Sequence, residues 1–192
     1  MNFLEKLINA DKNLFIYLNG LGNENWDGFW MFVTNRLSWT PLFIIFLYLI
    51  YKFFGLKKTI ALVILVALMI TFSDQFANLI KYSVGRLRPN RDPELNTFIR
   101  ILKNNKSFSF FSAHAGTSTA VTTFIYLTLH QKFRYAWLFF IWPLLFAYSR
   151  IYIGVHFPLD ILAGAVFGLL TGWLFYKVSL KILDKPFLND QA

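Results

Sequence analysis

The chain has 192 residues, of which 56% are hydrophobic and 20% aromatic, while only 15% are charged. Soluble domains carry roughly 25% charged residues, so the deficit argues against one and for an integral membrane protein of a single domain, 1–192. The net charge of +9 lies beside apolar runs, which favours anionic lipid heads and phosphorylated substrates over nucleic acid; without cysteine, a disulfide framework and a thiolate site are excluded.

Residues 1–38 read as interfacial. Phe3, Leu4, Leu7, Ile8, Leu14, Phe15 and Leu18 stand among polar neighbours, as in short helices lying on a membrane. Glu5, Lys6, Asp11 and Lys12 interrupt the first apolar positions, so no cleavable signal peptide is expected. Residues 19–25 break the helices, and Trp26, Trp30 and Trp39 read as interface anchors. No crossing is expected over 13–35.

The expected transmembrane core covers 39–176. A first span runs from Pro41 to Phe54, and a second from Thr59 to Ile80 follows a turn at Gly55. Near its end Asp74, Gln75, Asn78 and Lys81 recur at helical spacing. Such a stripe is expected to face the bundle interior, with Asp74 and Asn78 supporting Lys81. Residues 82–111 form a polar loop. Ser112 then reads as the N-cap of a third span ending at Leu129, and a helix start of that kind suits phosphate. A fourth span, 135–151, is expected to bend at Pro143. In a fifth, 158–176, Gly164, Gly168 and Gly172 form a close-packing face. A basic tail, 177–192, ends the chain. The expected fold class is all-α: an integral membrane bundle of about five transmembrane helices with N-terminal interfacial helices.

Counting crossings brings three polar clusters to one membrane face. They are the end of span two, the start of span three, and the junction of spans four and five. Lys81, Arg88, Ser112, His114, Arg150, His156 and Asp160 stand at these places. Charge in an apolar chain is kept where it is paired or where it works. Arg150 offers a planar fork for phosphate oxygens. One helical turn would carry the Asp160 carboxylate back to the His156 ring, fixing its tautomer and freeing the other nitrogen. For that stretch alone, a helix end capped by His and Asp is an equal alternative. Zinc would need three or four ligands, and the usual spacings are absent. A cationic cradle with one nucleophile and one acid suits phosphoryl transfer to histidine and then to water.

Lys81-x6-Arg88-Pro89, Ser112-Ala113-His114 and Ser149-Arg150-x5-His156-x3-Asp160 resemble the three signatures of the type 2 phosphatidic acid phosphatase family of membrane lipid phosphatases. Order and separation agree over about residues 40–176. The second signature departs, with Phe111 and Ala113 where the family usually has Pro and Gly. The resemblance implies that His156 attacks phosphorus while Asp160 holds its ring. His114 would protonate the leaving oxygen and later activate water. Lys81, Arg88, Ser112, the Ala113 amide and Arg150 would hold the phosphate, with no metal and no cofactor. His130 falls on the opposite face. Arg86 and Arg91 read either as contacts to a second phosphate or sugar or as solvated charges; Asp92 and Glu94 read as solvated.

The expected partners are the bilayer and a phosphorylated membrane lipid: undecaprenyl diphosphate, phosphatidylglycerol phosphate, phosphatidate or lipid A. A non-enzymatic phospholipid-binding or transport protein is one alternative, against which the His156–Asp160 pair and His114 speak. A vanadate-dependent haloperoxidase-like enzyme is another, against which the spans speak. The face opposite the site carries eight cations: Lys52, Lys57, Lys58, Lys132, Arg134, Lys177, Lys181 and Lys185. The site face, without its three motif cations, carries six: Arg36, Arg86, Arg91, Arg100, Lys103 and Lys106. That bias, like the resemblance to bacterial members, favours a site facing the periplasm or the outside of a bacterial inner membrane.

Overall fold

The computed structural model describes residues 2–184; Lys185 and the rest of the expected tail beyond it lie outside them. Six α-helices follow in order: α1 Phe3–Gly20, α2 Glu24–Val33, α3 Thr40–Val84, α4 Ala113–Leu129, α5 Ile141–Tyr152 and α6 Pro158–Leu183. This is the all-α membrane bundle that the apolar runs predict.

Helix α3 folds back on itself at Gly55, whose φ of 76° is open to glycine and strained for other residues. The break separates arms 40–54 and 56–84, the first two expected spans, and Thr59 Oγ1 takes up the Gly55 carbonyl at 2.6 Å. The stretch Arg36–Arg91 and α6 are long and apolar enough to cross a bilayer. Ile44, Leu47, Ile64, Leu68, Leu162 and Leu170 point outward from them, as side chains facing lipid do. Phe46, Leu62, Met69, Phe124, Trp142 and Phe146 fill the interior.

Helix α4 is buried along most of its length and forms the centre of the bundle. Its small residues let α6 come close. A Cβ at Gly164 would lie 2.6 Å from the Ser112 carbonyl, and one at Gly168 or Gly172 would strike the Gly116 or Ala120 carbonyl. The glycine face is therefore an α4–α6 seam, and it sets the starts of both helices side by side. There the Ser112 amide donates to the Asp160 carbonyl at 3.0 Å.

Three expectations change. The stripe on α3 divides: Ser73, Ala77 and Lys81 turn inward, Asp74 is half-buried, and Gln75 and Asn78 are exposed, so Asn78 does not support Lys81. Pro143 does not bend a span, because a 3₁₀ turn over Ala136–Phe140 leads into α5 and Pro143 falls in its first turn, where a missing N–H costs nothing. Helix α6 runs past Tyr176 to Leu183. Helix α1 buries Asp11, Phe15 and Asn19 and exposes Phe3, Leu4, Leu7, Ile8 and Leu14. Its inward face is mixed, with Ile16 and Leu18 packed beside Phe15 and with Glu5, Lys6, Asn9 and Asn13 left exposed. The break between α1 and α2 at 21–23 leaves no continuous helix over 13–35.

Candidate active site

The sequence from Arg150 to Asp160 makes a tight turn between α5 and α6. Gly154 sits at its apex with φ 80°, and a Cβ there would lie 2.6 Å from the Arg100 carbonyl. Glycine is required on both counts. The turn sends the amides of Val155 and His156 back to the Arg150 carbonyl at 3.1 and 3.3 Å, so the guanidinium and the imidazole arise from one compact unit.

His156 and Asp160 do meet, but not across one helical turn. His156 precedes α6, while Asp160 is in its first turn and reaches back to accept from the Phe157 amide at 2.9 Å. The carboxylate lies 3.4 Å from His156 Nδ1. Ser109 Oγ stands between them, donating to Asp160 Oδ2 and lying 3.4 Å from the same ring nitrogen. Arg86 holds the other carboxylate oxygen at 2.8 Å. Both side chains are essentially removed from solvent.

The other ring nitrogen, Nε2, lies 2.9 Å from Arg88 Nη1. A guanidinium only donates, so Nε2 accepts and carries the lone pair. The ring proton is then on Nδ1, facing Ser109 and Asp160. Burial, then the charges of Arg88, Arg150 and Lys81, hold the His156 pKa well below the usual imidazole value, so the ring is neutral at pH 7. Arg88 also donates to the Val155 carbonyl at 2.8 Å and to Ser107. Burial lowers its pKa to about 10, against the pull of Asp160, and it stays a cation at neutral pH.

Lys81, in the last turn of α3, is buried and has no hydrogen-bond partner among the described residues. Arg150 is buried, donates to Thr34 Oγ1 at 2.6 Å, and leaves its Nε unpaired. Ser112 is the N-cap of α4, with its hydroxyl accepting from the Ala115 amide at 3.3 Å. Ala113 and His114 open that helix, where amides lack intrahelical acceptors. Three cations thus surround His156 with hydrogen-bonding capacity to spare, beside a helix N-terminus. That arrangement favours a phosphoryl group. Lys81, Arg88, Ser112, His114, Arg150, His156 and Asp160 thus lie close to one another.

His114 stands where two cavities meet. A polar one of about 440 Å³ is lined by Thr34, Asn35, Arg36, Lys103 and His114, with Met31. An apolar one of about 330 Å³ runs from His114 and Arg36 between the arms of α3, α4 and α5, past Phe43, Phe46, Val66 and Phe146.

Sequence reasoning missed Ser109, Thr34 and Asp11, and left Arg86 open. Arg86 is not a solvated charge: it bridges Asp160 to Asp11 of α1, at 2.6 Å from the latter, with its guanidinium 4.1 Å above the Phe157 ring. Asp11 also accepts from the Leu159 amide at 2.8 Å. Asp92 is largely removed from solvent and pairs with Lys12 at 2.9 Å, while Glu94 pairs with the same lysine at 2.6 Å but stays solvated, as expected. Arg91 donates to the Lys106 carbonyl. His130 lies at the far end of α4, its Nδ1 against the Leu127 carbonyl at 3.0 Å.

Comparison with known proteins identifies the family. The model of the PAP2 superfamily matches residues 61–184. A lipid A 4'-phosphatase of Bacteroides thetaiotaomicron is 34% identical over 93% of this chain and 81% of that protein. One of Porphyromonas gingivalis is 30% identical over 92% and 76%. A PAP2-type phosphatidylglycerolphosphate phosphatase from Bacillus subtilis shares the fold, with a TM-score of 0.73 at 21% identity over 95% of this chain and 89% of that one. Aquifex aeolicus LpxE aligns with a TM-score of 0.59 at 26% identity over 86% and 93%. By family model and relatives, the chain belongs to the PAP2 superfamily and is an integral membrane lipid phosphate hydrolase.

Proposed function

We propose that the chain, acting as one domain, removes a phosphate from a lipid of the lipid A kind through a phosphohistidine at His156. The substrate class is supported by the two lipid A 4'-phosphatases that align over nearly the whole chain. It also fits the apolar cavity reaching His114, which suits a hydrocarbon chain.

The chemistry rests on one observation above the others: the lone pair of His156 Nε2 is presented to Arg88. An entering phosphate takes over donors of Arg88, Arg150 and Lys81 and the free amides at Ala113 and His114, which frees Nε2. Nε2 then attacks phosphorus as the ester P–O bond breaks, and protonated His114 gives its proton to the leaving lipid oxygen. Asp160 stabilises the positive ring of the phosphohistidine. Neutral His114 next takes a proton from water, the hydroxide attacks phosphorus, and the P–N bond returns its electrons to Nε2 as phosphate leaves. The developing charge is met by fixed cations in a water-poor site, where they act most strongly. The cation bias between the two faces supports a site directed to the periplasm or outside of a bacterial inner membrane.

Phosphate release by purified protein from a panel of phosphorylated lipids tests this reading. Turnover of a lipid A-type monophosphate, and its collapse in a folded Asp160→Asn variant, is expected. A comparable aspartate change in a serine hydrolase costs about 10⁴-fold. Undiminished turnover in Asp160→Asn would contradict the role given to the carboxylate.

A further inference from the structure

Most cations on the site face are matched by acceptors; among the described residues Lys81, which belongs to the cradle around His156, and Lys106, which lines neither cavity, are not. Arg86 holds two carboxylates, Arg100 pairs with Asp27 at 2.6 Å, Lys12 pairs with Asp92 and Glu94, and Arg91 donates to a carbonyl. Arg36 and Lys103 differ. Neither has a hydrogen bond or ion pair among the described residues, and both line the polar cavity beside His114. No carboxylate lines that cavity. Its Thr34 hydroxyl is engaged by Arg150, and its Asn35 side chain accepts from the Leu37 amide. Asp74 borders the apolar cavity instead, where Thr117 donates to it at 3.1 Å.

Position gives these two cations a meaning. Arg36 lies on the 3₁₀ turn Arg36–Trp39 and Lys103 on the loop before α4, outside the three signature motifs. Arg36 borders the polar and the apolar cavity at once, as His114 does. Its charge acts on both His114 and Arg150. If His114 protonates the leaving oxygen, the space beyond His114 holds the leaving alcohol.

We propose that Arg36 and Lys103 form a second anion site on the leaving-group side. The preferred substrate is then a lipid whose alcohol portion carries a further phosphate or carboxylate, with a hydrocarbon chain continuing into the apolar cavity. This rests on the role given to His114 above. Guanidinium and ammonium groups both recognise such oxyanions, and the guanidinium can do so with two parallel hydrogen bonds.

The test compares two lipids with the same acyl chains, one carrying a single phosphate and one a second phosphate on the leaving portion. Purified protein in neutral detergent micelles is assayed as wild type, Arg36→Gln, Lys103→Gln, the double variant and Arg36→Lys. The ratio of kcat/KM for the doubly over the singly phosphorylated lipid should fall about tenfold in the double variant, chiefly through KM. Arg36→Lys should recover most of it. An equal loss on both lipids, or a discrimination that appears only when anionic lipids are added to the micelles, would overturn the proposal. In the first case Arg36 and Lys103 merely support His114 and Arg150; in the second they bind the surrounding bilayer. Hydrolysis of an aryl phosphate by the wild type, run alongside, separates these outcomes from a failure of the phosphatase reading itself.

Discussion

The guanidinium of Arg86 and the carboxylate of Asp160 lie 2.8 Å apart, and the same guanidinium reaches Asp11 of α1 at 2.6 Å. The N-terminal helix is thereby tied to the carboxylate beside His156. Phe15, packed edge-on against Phe157 at 5.3 Å, and Asn19, donating to the Ile151 and Tyr152 carbonyls at 3.0 and 3.1 Å, fasten it further. Docking of α1 and alignment of the site are one structural event.

Arg86→Gln should therefore lower kcat about tenfold or more with little change in KM, because the phosphate contacts are untouched. It should also destabilise the fold by about 3 kcal/mol, since two buried carboxylates lose their shared partner. Asp11→Asn should have a milder effect on both. Kinetics beside thermal unfolding in detergent will separate the two effects, and an Arg86→Gln protein with unaltered kcat would deny Arg86 a positioning role.

The neutral state of His156 has a measurable signature. Its pKa is lowered, so its ring signal in an NMR titration should stay at the neutral position through pH 6, where a histidine in an unstructured peptide is largely protonated. The sign for stability follows: the unfolded ring binds a proton near pH 6.5 while the folded one does not. The folded state should thus lose stability as pH falls below that value. Titration of His156 near pH 6.5 would show that burial and the surrounding cations do not act on it as described.

The α4–α6 seam predicts a steric effect. Any Cβ at Gly168 meets the Gly116 carbonyl, so Gly168→Val should force the helices apart, cost about 1–3 kcal/mol, and misalign Ser112 with Asp160. Thermal unfolding and lipid turnover should fall together. Full stability in Gly168→Val would mean that the seam is looser than described.

Filling the apolar cavity should alter chain recognition. Val66 lines it and is only half-buried, so Val66→Phe adds bulk with modest strain. The ratio of kcat/KM for a long-chain lipid phosphate over a water-soluble aryl phosphate should drop about tenfold. An unchanged ratio would indicate that the chain lies elsewhere.

Much of this was legible in the sequence, for a physical reason. Lys81, Arg88, Arg150, His156 and Asp160 stand out because charge is rare among apolar residues and is kept where it works. The partners Asp11, Ser109 and Thr34 left no such trace. They are ordinary polar residues joined to the site across 149, 51 and 116 positions of chain, the first through Arg86 and the Leu159 amide. Arg86 was ambiguous because both its acceptors lie more than 70 residues away. The stripe on α3 misled because helical spacing fixes which residues share a side but not which side faces in. Packing of Ser73, Ala77 and Lys81 decided that, leaving Gln75 and Asn78 outside. On α1 the inward face is mixed, Phe15 packing on Phe157 while Asp11 and Asn19 bond to distant partners, so composition alone does not mark it.

The identity of the nucleophile is tested most directly by trapping the intermediate. Enzyme quenched during turnover of an aryl phosphate should carry acid-labile, base-stable phosphate, mapped by mass spectrometry to His156, and His156→Ala should carry none and turn over no substrate. His114→Ala should still form the label, slowed least for aryl leaving groups that need little protonation. Phosphate on His114, or hydrolysis of the aryl phosphate by His156→Ala, would contradict the account.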